Sequence, residues 1–186
     1  MLIELPQSED LSVVIFSLCW YILTNTPPTR KAFDFNLVFP TIQSIFDLVQ
    51  LCPFQFAEDL LEVLRSPTPP DLRYFKKLPL ISGKWWAIYL LVLEKAGERA
   101  KVYVGSGIAA ESGYMSRMRS YDKRNAVGVG SHSISDIPWY VDQALNSGYT
   151  ITHKATLAWT PIPFPSEKSA LSGLCLLLET FFCLCF

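Results

Sequence analysis

The architecture is most clearly indicated by residues 85–107, WWAIYLLVLEKAGERAKVYVGSG. Two runs rich in apolar, β-branched and aromatic residues flank KAGERA, which has the composition of a turn, and this pattern predicts a β-hairpin. If the turn is centred on Gly97, Tyr89 faces Gly105 across the strands and Tyr103 lies diagonally from Tyr89 on the same face. Two phenols beside a bare backbone position indicate a pocket floor. The alternative is that tyrosines simply pack well in strands and Gly105 ends the strand.

The segment after the hairpin, SGYMSRMRSYDKR at residues 112–124, predicts a helix with one inward face. That face carries residues at the i, i+4 and i+7 positions, namely Tyr114, Met118 and Tyr121. Arg117 falls near the edge of this face and can approach the sheet, whereas Arg119 points to solvent. The alternative for Arg117 is an exposed arginine whose stem covers apolar surface.

The remaining segments complete an α+β pattern in the order ββααβα. WYVDQALNSG predicts a helix that ends at Gly148, the Thr-rich residues 149–159 alternate like a third strand, and a long apolar helix follows. We therefore expect a small three-stranded antiparallel sheet flanked by helices, with an N-terminal helical extension.

A proline-rich junction, SPTPPDLR at residues 66–73, separates this pattern from several predicted helices in the first third of the chain. We place the boundary near residue 80. Residues 1–80 are then a helical accessory region, and residues 81–186 form the main domain.

The amino-acid composition restricts the class of protein to which the chain can belong. Half of the residues are hydrophobic, 18% are charged and the net charge is −1, so the chain is a globular or membrane-associated protein and not a disordered one. Any attraction for nucleic acid must come from a local patch. Five cysteines without a zinc spacing, and acidic residues before the first apolar run, favour an intracellular location, nuclear or cytoplasmic, without a signal peptide.

One charge, Glu179, interrupts the apolar C-terminal segment LCLLLETFFCLCF, residues 174–186. Burying an unpaired carboxylate costs several kcal/mol or more, so the fold must protonate it, turn it to water or give it a cation. A transmembrane helix is the alternative interpretation of this segment, although an acid in the middle of a bilayer is costly.

Other polar candidates are weaker. His132 lies in a Gly/Ser-rich loop, His153 lies in the third predicted strand as a satisfied core histidine, and Lys101 is a solvated strand lysine that could alternatively contact phosphate. Arg119, Lys123 and Arg124 form a small basic patch, which is typical of a solvated helix face.

Residues 85–186 resemble the GIY-YIG nuclease family. Ala87-Ile88-Tyr89 corresponds to the first strand motif and Tyr103-Val104-Gly105 to the second. Arg117, followed four residues later by Tyr121, matches the helix arginine of the family, and Glu179 matches the glutamate of its third helix. Ala87 replaces the glycine of the first motif.

The resemblance implies a metal-dependent endonuclease that hydrolyses phosphodiester bonds of DNA, with no organic cofactor. Tyr89 or Tyr103 would act as general base or position the attacking water, with the other phenol as its hydrogen-bonding partner. Arg117 would supply positive charge to the phenol and the phosphate, and Glu179 would hold Mg²⁺ or Mn²⁺. Two alternatives stay open, namely a catalytically inactive domain of the same fold with a binding or structural role, and a protein anchored to a membrane by its last helix.

Overall fold

The computed structural model describes residues 10–25, 35–127 and 137–186. These residues form an α+β fold. The helices are α1 Leu11–Asn25, α2 Phe35–Val38, α3 Ile42–Leu51, α4 Leu60–Arg65, α5 Leu72–Lys77, α6 Met115–Val127, α7 Trp139–Asn146 and α8 Lys168–Cys185. The strands are β1 Gln55–Phe56, β2 Trp85–Glu94, β3 Lys101–Gly107 and β4 Thr150–Pro161.

The sheet is antiparallel and has four strands in the order β1-β4-β2-β3. The predicted hairpin is confirmed, because β2 pairs with β3 in the register that sets Tyr89 opposite Gly105. Gly97, with φ 78°, lies between the two strands in the backbone region that favours glycine.

The expectation of three strands was wrong. The additional strand, β1, consists of only two residues and pairs with β4, so that Gln55 lies opposite Trp159. A strand this short has no periodicity to detect, and it lies in the region interpreted from the sequence as helical.

The central strand β2 explains the unbroken apolar run of the opening sequence. Its neighbours are β4 on one side and β3 on the other, and its residues from Trp86 to Leu93 are all buried. Alternate side chains therefore belong to different cores, and both faces of the strand must be apolar.

The first core contains Ile88 and Leu90 of β2, together with buried residues of the N-terminal helices and of α8. Helix α8 packs against β2, β3, α1 and α3 on this side of the sheet. Helices α6 and α7 cover the opposite side, where Tyr89 and Leu91 contribute to the second core.

The inward face predicted for α6 is confirmed, because its three residues are buried in the second core: Tyr114, Met118 and Tyr121. Helix α7 ends just before Gly148, which has φ 87° as expected for a glycine past a helix end.

The two sides of residue 80 share the first core. Phe75 of α5 packs edge-on against Phe186, with ring centroids 5.1 Å apart, and buried Phe16 of α1 belongs to the same cluster as Leu174 of α8. The division into residues 1–80 and 81–186 stays a prediction, but any such units pack closely together.

Candidate functional site

A cleft of about 600 Å³ lies at the C-terminal end of β3, from which the chain continues to α6. The sequence-predicted side chains in its lining are Tyr89, Tyr103, Arg117 and Glu179. They belong to β2, β3, α6 and α8, so the fold brings residues that are up to 90 positions apart (179 minus 89) around a common space. The other lining residues are Ser106, Ile108, Ala109, Ser116, Ser120, Pro138 and Leu176.

The two strand tyrosines lie beside each other, with ring centroids 6.4 Å apart. Tyr89 is almost completely buried, whereas Tyr103 is half-buried. Gly105 makes the space for them, since a Cβ there would lie 2.7 Å from both Tyr89 Oη and Tyr103 Cε1. A side chain at position 105 would therefore displace the phenols.

A third phenol, Tyr121 of α6, completes a tyrosine cluster. Its hydroxyl is hydrogen-bonded to that of Tyr89 at 2.7 Å, and the two rings meet edge-on at 5.8 Å. Tyr121 was predicted on the inward face of α6 and as part of the motif around Arg117, but without a chemical role.

Burial dominates the acid–base behaviour of this cluster. It raises the pKa of Tyr89 and of Tyr103 far above the ordinary phenol value, and the neighbouring phenols raise both further. The pKa of Tyr121 is raised to about 12, mainly by burial. The hydrogen bond with Tyr89 and the charge of Arg117 act in the opposite direction and are included in this value. All three phenols are therefore protonated at neutral pH.

Arg117 is half-buried at the edge of α6, while Arg119 is exposed, as the helical spacing predicts. Its positive charge opposes the increase in pKa at all three phenols, which places the guanidinium within electrostatic reach of the whole cluster. A cation at this position can stabilise negative charge on a bound group in the cleft.

Glu179 reaches the cleft from the other side of the sheet. Helix α8 packs against the face opposite the tyrosines, but β3 is the last strand of the described sheet, and the carboxylate lies at this edge. There Glu179 Oε2 accepts a hydrogen bond from Ser106 Oγ at 2.6 Å. Glu179 also raises the pKa of Tyr103 and Tyr121, so it lies within electrostatic reach of the phenols.

The half-buried position of Glu179 explains how α8 tolerates a charge. Its neighbours Leu177 and Leu178 are buried, whereas Leu176, Glu179 and Cys183 are more exposed and lie on one side of the helix. The carboxylate is therefore turned to the cleft and its solvent, which is one of the three solutions expected from the sequence.

The donors around Glu179 fit a hard divalent cation of the Mg²⁺ type. A carboxylate and a hydroxyl, with space for water and phosphate oxygens in the cleft, match the oxygen ligands that Mg²⁺ prefers. Residues 10–25, 35–127 and 137–186 contain no group of three or more His, Cys, Asp or Glu side chains suited to a metal. Among the described residues that line the cleft, Glu179 is the one carboxylate that could hold such an ion.

Ser106 is the main cleft residue that sequence reasoning missed. It lies within the motif-bearing segment KVYVGSG, and its alternation with Gly105 places it on the α8 side of the strand. That parity is the signal that could have linked it to Glu179.

Two other described polar residues considered from the sequence, Arg124 and His153, make structural contacts away from the cleft. The predicted basic patch was wrong for Arg124, which is buried and pairs with Asp142 of α7 at 2.8 Å. His153 has the expected hydrogen bond, to the Leu78 carbonyl at 3.0 Å, but it is half-buried and does not lie in the core. His132 lies outside the described residues.

Helix α8 is long and apolar enough to cross a membrane by length and composition alone, and 44% of it is buried inside the fold. It is the one such helix among residues 10–25, 35–127 and 137–186.

Comparison with protein-family models, curated proteins and solved structures finds no match for this chain.

Proposed function

We propose that the chain is a metal-dependent endonuclease of the GIY-YIG type that hydrolyses phosphodiester bonds in DNA. The observation that carries the proposal is the convergence of Tyr89, Tyr103, Arg117 and Glu179 on one cleft. Two hydrogen-bonding phenols can position an attacking water, a guanidinium can stabilise charge on the phosphate, and an accessible carboxylate can hold one divalent cation.

The phenols act on the attacking water as hydrogen-bonding partners. Because burial raises the pKa of Tyr89 and Tyr103, both phenols are protonated at neutral pH and neither can accept a proton from water in the free protein. Their hydroxyls can orient a water molecule towards phosphorus. The Tyr89–Tyr121 hydrogen bond fixes one of these hydroxyls in direction.

Arg117 binds the scissile phosphate and stabilises the charge that develops on it during attack. Glu179, oriented by Ser106, would hold the divalent cation. When bound, Mg²⁺ or Mn²⁺ supplies charge neutralisation at the leaving oxygen.

Cleavage of plasmid and branched DNA by purified protein tests the proposal. We expect cleavage with Mg²⁺, none with a chelator, and none with Glu179→Gln, which removes the charge but keeps the shape of the side chain. Circular dichroism checks that the variant is folded. Equal cleavage by wild type and Glu179→Gln would reject the assignment.

A catalytically inactive binding domain is the second candidate. It is favoured by the presence of one carboxylate among the described residues that line the cleft, and by the protonated state of the phenols. Calorimetry separates the two, because an active site should take up Mg²⁺ or Mn²⁺ in the presence of DNA and Glu179→Gln should not. No metal uptake by wild type, with or without DNA, would favour the inactive domain.

A further inference from the structure

Two aromatic side chains are exposed at the start of α7, the helix that begins directly after the cleft residue Pro138. Trp139 is 75% exposed and Tyr140 is 41% exposed. Pro138 lines the cleft, so the Cα of Trp139 lies only about 3.8 Å from that of a cleft residue. We call Trp139 and Tyr140 the aromatic patch.

Tyr140 of the aromatic patch continues the ring system of the cleft. Tyr140 stacks on Tyr103, with centroids 6.3 Å apart and planes inclined by 22°, and Tyr103 in turn lies next to Tyr89. A series of rings therefore leads from the cleft floor to the surface. A planar group that leaves the cleft would meet aromatic surface immediately.

A positive charge accompanies these rings. Lys101 Nζ lies 5.8 Å from the Tyr140 ring centroid and 4.6 Å from that of Tyr149. Lys101 and Arg117 thus provide cations on the β3 and α6 sides of the tyrosines. Alternation of flat rings with cations suits a chain of stacked bases joined by phosphates.

We propose that the aromatic patch binds unpaired bases of a single-stranded DNA segment next to the scissile phosphate. This inference rests on the proposed function and narrows its substrate class to DNA with an unpaired arm or flap. Duplex DNA hides the faces of its bases, whereas an unpaired strand offers them for stacking. With a net charge of −1, the protein has little general attraction for the DNA backbone, so stacking must supply much of the selectivity.

Fluorescence anisotropy with labelled oligonucleotides tests the inference in the presence of a chelator, where no cleavage occurs. The probes are a single strand, a forked duplex and a blunt duplex. We expect the single strand and the fork to bind about tenfold more tightly than the blunt duplex. Trp139→Ala should weaken their binding about tenfold and leave blunt-duplex binding nearly unchanged.

Controls separate stacking from loss of fold. Phe164 is 79% exposed and does not line the cleft, so Phe164→Ala is a matched aromatic deletion that should leave binding unchanged. Tyr140→Phe keeps the ring and should retain binding, whereas Tyr140→Ala should lose it. Thermal unfolding of each variant confirms that it is folded.

The outcomes distinguish this inference from the proposed function. If wild type cleaves DNA but Trp139→Ala and Phe164→Ala bind single-stranded DNA equally well, the aromatic patch does not bind unpaired bases. The nuclease proposal would then remain intact. If single-stranded DNA binding depends on Trp139 but no metal-dependent cleavage is detected, base stacking on the aromatic patch is supported and the proposed nuclease activity is overturned. Loss of self-association in Trp139→Ala, with no DNA binding by wild type, would reassign the patch to a protein partner and overturn the inference.

Discussion

Ser106 links the two sides of the cleft at the scale of single residues. Tyr103 lies on the face of β3 that carries the tyrosine cluster, while Ser106, between Gly105 and Gly107, projects towards α8 and donates a hydrogen bond to Glu179. An edge strand can in this way present both of its faces to one cleft.

Ser106→Ala should weaken metal-dependent activity. Loss of a hydrogen bond that orients a metal ligand typically costs about tenfold or more in metal affinity or rate, because the carboxylate is no longer held in one direction. The measurement is the Mg²⁺ concentration that gives half-maximal cleavage. Ser120→Ala, which removes a hydroxyl from the same cleft without touching Glu179, is the control. Equal effects of the two substitutions would contradict the role of Ser106.

The tyrosine cluster should make the protein sensitive to alkaline pH. Burial holds the pKa of Tyr121 at about 12 in the folded protein, compared with an ordinary value of about 10. The folded state therefore binds more protons above about pH 10, and the free energy of unfolding falls as pH rises from about 10 through about 12. Denaturant unfolding over this range should show the fall, and Tyr121→Phe should make it shallower. A pH-independent free energy would contradict the burial of the cluster.

At the scale of elements, α6 and α7 are fixed to each other by a buried ion pair. Arg124 is 1% exposed, its Nε donates to Asp142 Oδ1 at 2.8 Å, and it also donates to the side chain of Asn146. Because α6 carries Arg117 and α7 carries the aromatic patch, this pair holds both in position relative to β3.

Arg124→Ala should destabilise the fold by about 3–5 kcal/mol, because it leaves the partly buried Asp142 without its cation. Chemical denaturation gives the free energy of unfolding. Arg119→Ala, an exposed arginine of the same helix, should change that free energy by no more than about 0.5 kcal/mol. A loss for Arg124→Ala no larger than that of the control would contradict the importance of the pair.

Regular periodicity accounts for the elements that the sequence predicts correctly. The hairpin register followed from Gly97, and the inward face of α6 and the outward direction of Arg119 followed from helical spacing. Pairing between distant segments is not encoded in local periodicity, so β1 and the burial of Arg124 against Asp142 could not be predicted in this way. The Ser106–Glu179 contact joins positions separated by 73 residues and depends on how α8 crosses the edge of the sheet.

At the scale of the whole molecule, the N-terminal region forms part of the main core. Helices α1 and α3 cover α8, and β1 extends the sheet beyond β4. The apolar face of α8, with Leu174 and Phe182 fully buried, needs this cover. The accessory region expected from the sequence therefore contributes to the stability of the domain that carries the cleft.

A fragment of residues 81–186 should be markedly less stable than the full chain. Removal of α1, α3 and β1 exposes apolar surface of α8, and burial of such surface stabilises a fold by about 25 cal/mol per Å². Thermal unfolding followed by circular dichroism, together with binding of a hydrophobic dye, measures the effect. A fragment that unfolds cooperatively at the temperature of the full chain would contradict this interdependence.

We propose that residues from four elements, which line one cleft, act together on a phosphodiester. The most direct measurement is the single-turnover rate of DNA cleavage, at saturating Mg²⁺, for wild type, Glu179→Gln, Arg117→Ala and the control Arg119→Ala. We expect the first two variants to lose about 100-fold or more, because each removes charge stabilisation from the transition state, and the control to stay within about twofold. Rates for Glu179→Gln and Arg117→Ala equal to that of Arg119→Ala, or no cleavage by wild type, would contradict the account.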